Sequence, residues 1–208
     1  MKQHPEIDAW TKTPWRDLWA LDKLILSRAL GYSCGPAGQP VPKPGEYIVR
    51  PCVNAFGMGL NAFRGQISGS TDHLPPGSFW CEIFDGPHLS VDYVRNHRWG
   101  YQPELVVEGH RRGGQWEPLW RWQKWTRLPI DQAPAFPNTL KLILHNPLTI
   151  NVEFIGGNPI EVHFRRNTDF NGGISEYIPV YTGDPIDPPE GYTFRPDEDG
   201  PRIGAFVR

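Results

Sequence analysis

Two carboxylates and an imidazole, Glu153, Glu161 and His163, stand in two short apolar runs, Ile150 to Ile155 and Ile160 to Phe164, joined by Gly156-Gly157-Asn158-Pro159. Period-two alternation gives Val152, Phe154, Ile160, Val162 and Phe164 one parity, and Glu153, Glu161, His163 and Arg165 the other. A hairpin across the glycine turn therefore presents its acids together. Neighbouring carboxylates repel and raise each other's pKa unless a cation neutralises them. Hard oxygen donors with a single imidazole favour Mg2+ over zinc. The competing reading is a solvated strand face on which Glu161 pairs with Arg165.

The elements around this hairpin are short. Thr13 and Pro14 begin a helical pattern in which Leu18, Leu21, Leu24, Ile25 and Ala29 recur before Gly31, predicting a helix from Pro14 to Leu30 that carries Lys23. Gly35 to Gly45 is rich in proline and glycine and reads as an extended connector, and Tyr47-Ile48-Val49 opens a strand that leads into Arg50. Gly57 and Gly59 follow in a loop whose backbone N–H groups suit a phosphate. Phe79 to Phe84 and Leu89 to Val94 read as a second hairpin across Asp85-Gly86-Pro87. Leu105 to Gly109 and Trp116 to Trp125 read as strands across an arginine-glycine turn, their tryptophans as core with amphipathic edges. Pro137 to Leu144 predicts a short helix or strand, and the Pro- and Asp-rich stretch from Gly183 predicts an extended or flexible tail.

Composition bounds the function classes. A net charge of −2 over 208 residues gives no global reason to expect nucleic acid or membrane as partner. No apolar run approaches the ~20 residues that span a bilayer, and Met1 to Glu6 lacks a signal peptide's apolar segment, so the expected location is cytoplasmic. Three cysteines without Cys-x-x-Cys spacing are expected as reduced thiols. Twenty-three prolines, 22 glycines and nine tryptophans predict a strand-rich body.

Taken in order, these fragments resemble the ATP-grasp superfamily, in particular the ATP-binding lobes of D-alanine–D-alanine ligases and related carboxylate–amine ligases. Leu21-Asp22-Lys23-Leu24 resembles the start of the family's lid-side helix. Tyr47 to Pro51 resembles its phosphate-binding strand, and Phe56-Gly57-Met58-Gly59 the glycine loop that follows. Cys81 to Val91 resembles the adenine hinge, and the acidic hairpin the family's Glu-x-Asn-x-Arg strand with the carboxylate strand before it. The resemblance implies an α+β fold of two β-rich lobes with a nucleotide cleft between them. It divides the chain into a small lobe with its hinge over about 46–95, a larger lobe over 96–170 and a tail over 183–208, without the amino-terminal lobe usual in the family.

The same resemblance implies ATP and Mg2+ as cofactors, with a small-molecule or peptide carboxylate joined through an acyl-phosphate to an amine (or to a thiol). It places nucleotide on Lys23, Arg50, Gly57, Gly59, Glu82, Phe84 and His88, metal on Glu153, Glu161 and His163, and transition-state charge on Arg165 with Lys23 and Arg50. Three positions depart from the pattern. Arg50 replaces a lysine, His88 a ribose-binding glutamate, and His163 a metal-binding asparagine, the last opening the site to Mn2+. A degenerate nucleotide-binding or interaction module without turnover is the alternative these departures motivate, and a Trp-rich carbohydrate module a remoter one. A second copy or a partner chain is the expected source of the missing lobe's surface.

Overall fold

The computed structural model describes residues 5–53, 61–98, 100–111, 122–199 and 202–208. The described residues open with helix α1 (Pro5–Lys12), a 3-10 turn over Trp15–Ala20 and helix α2 (Lys23–Ala29). The predicted single helix from Pro14 to Leu30 is therefore broken. Asp22 takes an extended conformation and accepts hydrogen bonds from the N–H groups of Leu24 and Ile25 at 2.9 and 3.0 Å, which starts a new helix at Lys23. An aspartate can satisfy the orphan amides of a first turn, and here that outweighs continued helical periodicity.

Four strands, β1 (Cys34–Pro36), β2 (Gly45–Pro51), β3 (Phe63–Ile67) and β4 (Ser78–Cys81), form an antiparallel sheet in the order β1-β4-β2-β3. Its own core is Val41, Tyr47, Val49, Ile67, Leu74 and Trp80. The connector expected over Gly35 to Gly45 thus starts inside a strand, and this sheet begins before residue 46.

The second sheet has eight strands. In chain order they are β5 (His88–Asn96), β6 (Gly100–Arg111), β7 (Trp122–Arg127), β8 (Thr149–Ile155), β9 (Asn158–His163), β10 (Glu176–Tyr181), β11 (Thr193–Asp199) and β12 (Arg202–Val207). They lie antiparallel in the order β11-β12-β10-β7-β6-β5-β8-β9. One face buries Val91, Tyr93, Val106, Val152 and Phe154 with Leu26 of α2 and Leu140. The other buries Leu105, Val107, Phe170, Tyr177 and Ala205. The tail expected to be extended is instead the β11–β12 hairpin, and β12 pairs with β10 from Tyr177↔Val207 to Tyr181↔Arg202. Its apolar run Ala205-Phe206-Val207 completes the sheet despite the prolines that precede it.

Phe79 to Phe84 and Leu89 to Val94 do not form a hairpin. β4 belongs to the small sheet and β5 to the large one, so the segment 82–87 is the passage between sheets. It is held by close backbone approach. The N–H of Gly156 donates to the Pro87 carbonyl at 3.0 Å, and a Cβ on Gly156 would stand 2.0 Å from the Asp85 oxygen. Asn138–Leu142 is a 3-10 turn, in line with the short element expected there. No helix of the described residues is long and apolar enough to cross a membrane.

Candidate functional site

The acidic hairpin forms as the alternation predicts. β8 and β9 pair with Val152 opposite Val162 and Glu153 opposite Glu161. β5 extends the array, giving two rungs across three strands, Ser90–Glu153–Glu161 and Asp92–Asn151–His163. Cross-strand partners share a face, so six polar side chains tile one patch of the large sheet. Five of them are buried, Ser90, Asp92, Asn151, Glu161 and His163, while Glu153 is half-buried.

Charge compensation comes from within the chain. Lys23, the first residue of α2 and only 3% exposed, sets its Nζ 3.1 Å from Glu161 Oε2. Its backbone N–H donates to the Cys52 carbonyl at 2.7 Å, fixing the helix start to the end of β2. His88 Nε2 lies 2.9 Å from Glu153 Oε2. His163 Nε2 stands between the acids, 3.4 Å from Glu161 Oε1 and 3.8 Å from Glu153 Oε1. Burial pushes the Glu153 carboxyl upward, yet the neighbouring His163 and the hydrogen bond from His88 outweigh it and hold the group well below the usual carboxylate range.

Asp92 and Asn151 lie deeper in the patch and escaped the sequence reading. Asn151 Nδ2 donates to Ser90 Oγ at 2.9 Å and to Asp92 Oδ1 at 2.8 Å, while the Asn167 N–H donates to both Asp92 oxygens. Burial raises the Asp92 carboxyl against those bonds and against Arg166. Their signal was present in the parity of Asp92 and Asn151, polar positions inside apolar runs. Trp125 was also missed as a neighbour of this site. Its ring meets His88 edge-on at 5.5 Å, across Gly109, which has no side chain and lies between them in the register.

Arg50 lies apart from the acids. Val49 points into the small sheet's core, so Arg50 takes the opposite face, where its guanidinium lies 5.2 Å from the Phe79 ring centroid. It is 8% exposed and its Nε makes no hydrogen bond. The charge of Arg50 is felt by Tyr32, Cys34 and Cys81, and burial is the main cause that raises each of these three groups. Arg111, exposed at the end of β6, has its guanidinium pKa lowered by partial desolvation and by Arg64 of β3, against the pull of Glu153. Arginines from both sheets thus lie within electrostatic reach of one another beside the acids.

Of the expected site residues, the structure brings Lys23, His88, Glu153, Glu161 and His163 into one cluster. Glu82 and Phe84 lie on the passage between sheets, as the hinge resemblance implies. The Glu82 N–H is taken by the Ser33 carbonyl at 2.9 Å, its carboxylate accepts from the Ser33 N–H at 2.7 Å, and Phe84 packs edge-on to Tyr32. Arg165 sits just beyond β9 with Nη1 donating to the Arg166 carbonyl at 3.1 Å. Gly57 and Gly59 lie outside the described residues.

The residues expected to ligate a metal meet, but not as an open ligand set. No three His, Cys, Asp or Glu side chains among the described residues converge as one. Every carboxylate oxygen of the pair faces a nitrogen within 4 Å. Two like unit charges about 4 Å apart repel by about 4 kcal/mol at an effective dielectric of about 20, and a divalent ion doubles that. As folded, the cluster does not fit Mg2+.

No protein-family model and no curated protein sequence matches the chain. Solved structures do. N5-carboxyaminoimidazole synthetase from Staphylococcus aureus complexed with ADP is similar with a TM-score of 0.56 at 11% identity, over 91% of this chain and 67% of that one. An ATP-grasp superfamily protein from Archaeoglobus fulgidus is similar with a TM-score of 0.51 at 14% identity, over 92% of this chain and 65% of the other. The N5-carboxyaminoimidazole ribonucleotide synthetase of Thermus thermophilus gives 0.50 at 15% identity, over 90% and 67%. The chain spans about two thirds of the length of these structures. Two antiparallel sheets joined at a short passage, with few helices, carry the ATP-grasp fold in this chain.

Proposed function

We propose that the chain is the nucleotide-binding unit of an ATP-dependent ligase, one that transfers the γ-phosphoryl of ATP to a carboxylate and joins the acyl group to an amine. The observation that carries this reading is the buried Arg50 guanidinium, which has no carboxylate partner among the described residues and an Nε without a hydrogen bond. A cation withdrawn from water without an acid is costly unless an anion arrives to meet it, and a guanidinium fork suits phosphate. Lys23 and Arg111 supply further positive charge beside the acids. One of the similar structures is a complex with ADP, which supports a nucleotide as that anion.

In this reading Lys23 and Arg50 hold the phosphates and offset charge as the γ-phosphoryl leaves. The carboxylate oxygen forms the new P–O bond and ADP departs. The amine then attacks the acyl carbon, loses a proton and displaces phosphate. Arg165 is the candidate for stabilising the tetrahedral adduct, and segment 82–87 for the adenine edge. The test is thermal melting with ATP and with ADP. Ligand at about a hundred times its dissociation constant adds about 2.7 kcal/mol of stability. Absence of any shift with either nucleotide overturns the proposal.

A second reading, nucleotide binding without turnover, is favoured by the Glu153–Glu161 pair, whose oxygens face Lys23, His88 and His163 rather than an open position. ADP production across a panel of amino acids and peptides separates the two. Amine-dependent release that E161Q abolishes supports the ligase, and binding without release supports the silent module.

A further inference from the structure

We propose that the Glu153–Glu161 pair holds no resident divalent ion, because the chain supplies nitrogen partners to its oxygens: Lys23 to Glu161, His88 to Glu153, and His163 between them. The inference deepens the nucleotide-site reading and rests on it only for the identity of the anion that would compete for Lys23. The metal experiment below uses no nucleotide.

All four carboxylate oxygens are committed. Glu161 Oε2 faces Lys23 at 3.1 Å and Glu161 Oε1 faces His163 at 3.4 Å, while Glu153 Oε2 faces His88 at 2.9 Å and Glu153 Oε1 faces His163 at 3.8 Å. A metal ion needs lone pairs aimed at one open point, whereas two of these oxygens face Lys23 and His88, and the point that the other two share is taken by His163 Nε2. Lys23 is also not a surface lysine that happened to fold inward. Its helix is capped by Asp22, its amide is bonded to Cys52, and its side chain is 4% exposed. Admitting a divalent ion would force that ammonium out of a buried pair, with the Asp22 carboxylate already bonded to the Leu24 and Ile25 amides.

The same geometry says what would create a metal site. Replacing Lys23 by methionine keeps most of the length and the apolar stem but removes the charge, leaving two facing carboxylates short of one cation. The vacancy is then best filled by a divalent ion.

The experiment titrates MnCl2 alone into the wild-type chain at neutral pH and follows free Mn2+ by electron paramagnetic resonance. Wild type is expected to leave Mn2+ free into the millimolar range. K23M is expected to bind one equivalent at least about tenfold more tightly, and K23M/E161Q to lose that gain. K23R, which keeps the charge, should behave as wild type and shows that the fold survives change at this position. Stoichiometric micromolar binding to wild type overturns the inference, and so does a folded K23M that binds no more tightly. If K23M fails to fold, melting of wild type in EDTA against millimolar MnCl2 decides: unchanged temperatures sustain the inference and a rise overturns it. Failure of ATP and ADP to bind would sink the proposed function and leave this result standing.

Discussion

Arg50 keeps a full charge under cover with the Phe79 ring as its neighbour, an arrangement that lowers stability unless a ligand uses it. R50M should therefore melt no lower than wild type without ligand while its affinity for ADP falls by more than about tenfold. Calorimetric titration alongside a thermal melt checks both halves. A variant that melts well below wild type would make Arg50 structural. Glu176 shows the opposite balance. The Tyr192 hydroxyl donates to it against the cost of burial, Lys124 and Arg208 add charge, and the carboxyl is lowered to about 2. A folded-state pKa below the unfolded one contributes stability above about pH 4.5 that is lost as the pH falls toward about 2. E176Q should lower the melting temperature at neutral pH and flatten the acid limb between those values. At this scale the sequence showed which residues carry charge but not whom they meet. Alternation sufficed to place Glu153 beside Glu161. Nothing local revealed that Lys23, well over a hundred positions earlier, completes the pair, because that contact depends on where α2 lies against β9.

Short elements were legible where one strand answers the next across a turn, as in β8 and β9, and illegible where the chain changes sheet. β4 and β5 alternate as hairpin partners would, yet periodicity reports only faces and is silent on pairing. The fragment order of the ATP-grasp resemblance placed a hinge there, and the two sheets do part at that segment. The glycines around it make that passage testable. Gly156 has φ +56 and packs onto Asp85, whereas Gly157 has φ +84 with open space around its missing side chain. G157A should cost about 1 kcal/mol from left-handed backbone strain alone. G156A adds a backbone collision and should cost at least twice as much, so paired melts of the two variants measure how firmly the passage is clamped. Equal losses would mean that the contact at Asp85 yields freely. The tail was misread for a related reason. Its prolines and aspartates suggested solvent, while the pairing that orders β12 comes from β10, an element that composition does not describe.

Two sheets with separate cores are joined in this molecule by the 82–87 passage and by α2, whose Leu26 packs into the large sheet's core while Lys23 bonds Cys52 through its amide and Glu161 through its side chain. Helix α2 is thus a suture, and its strength sits in its first turn. Removing the cap, D22A, should cost about 1 kcal/mol by freeing two amides. Removing the charge, K23M, leaves Glu161 with its Lys23 partner gone, a larger penalty because that pair is buried. Wild type should unfold in calorimetry as one transition, since neither sheet can melt without tearing the helix from the other. In D22A/K23M the four-stranded sheet, whose core is the smaller, should melt first and divide the transition in two. Tryptophan emission can follow the early step through Trp80, which is buried in that sheet and donates its indole N–H to the Gln39 carbonyl at 2.8 Å. A double variant that still melts in one step, merely at lower temperature, would show that the 82–87 passage alone couples the sheets. Under the proposed function, nucleotide added to wild type should raise the single transition without dividing it, because a ligand held by Arg50 on one sheet and Lys23 beside the other would bind only while both are folded.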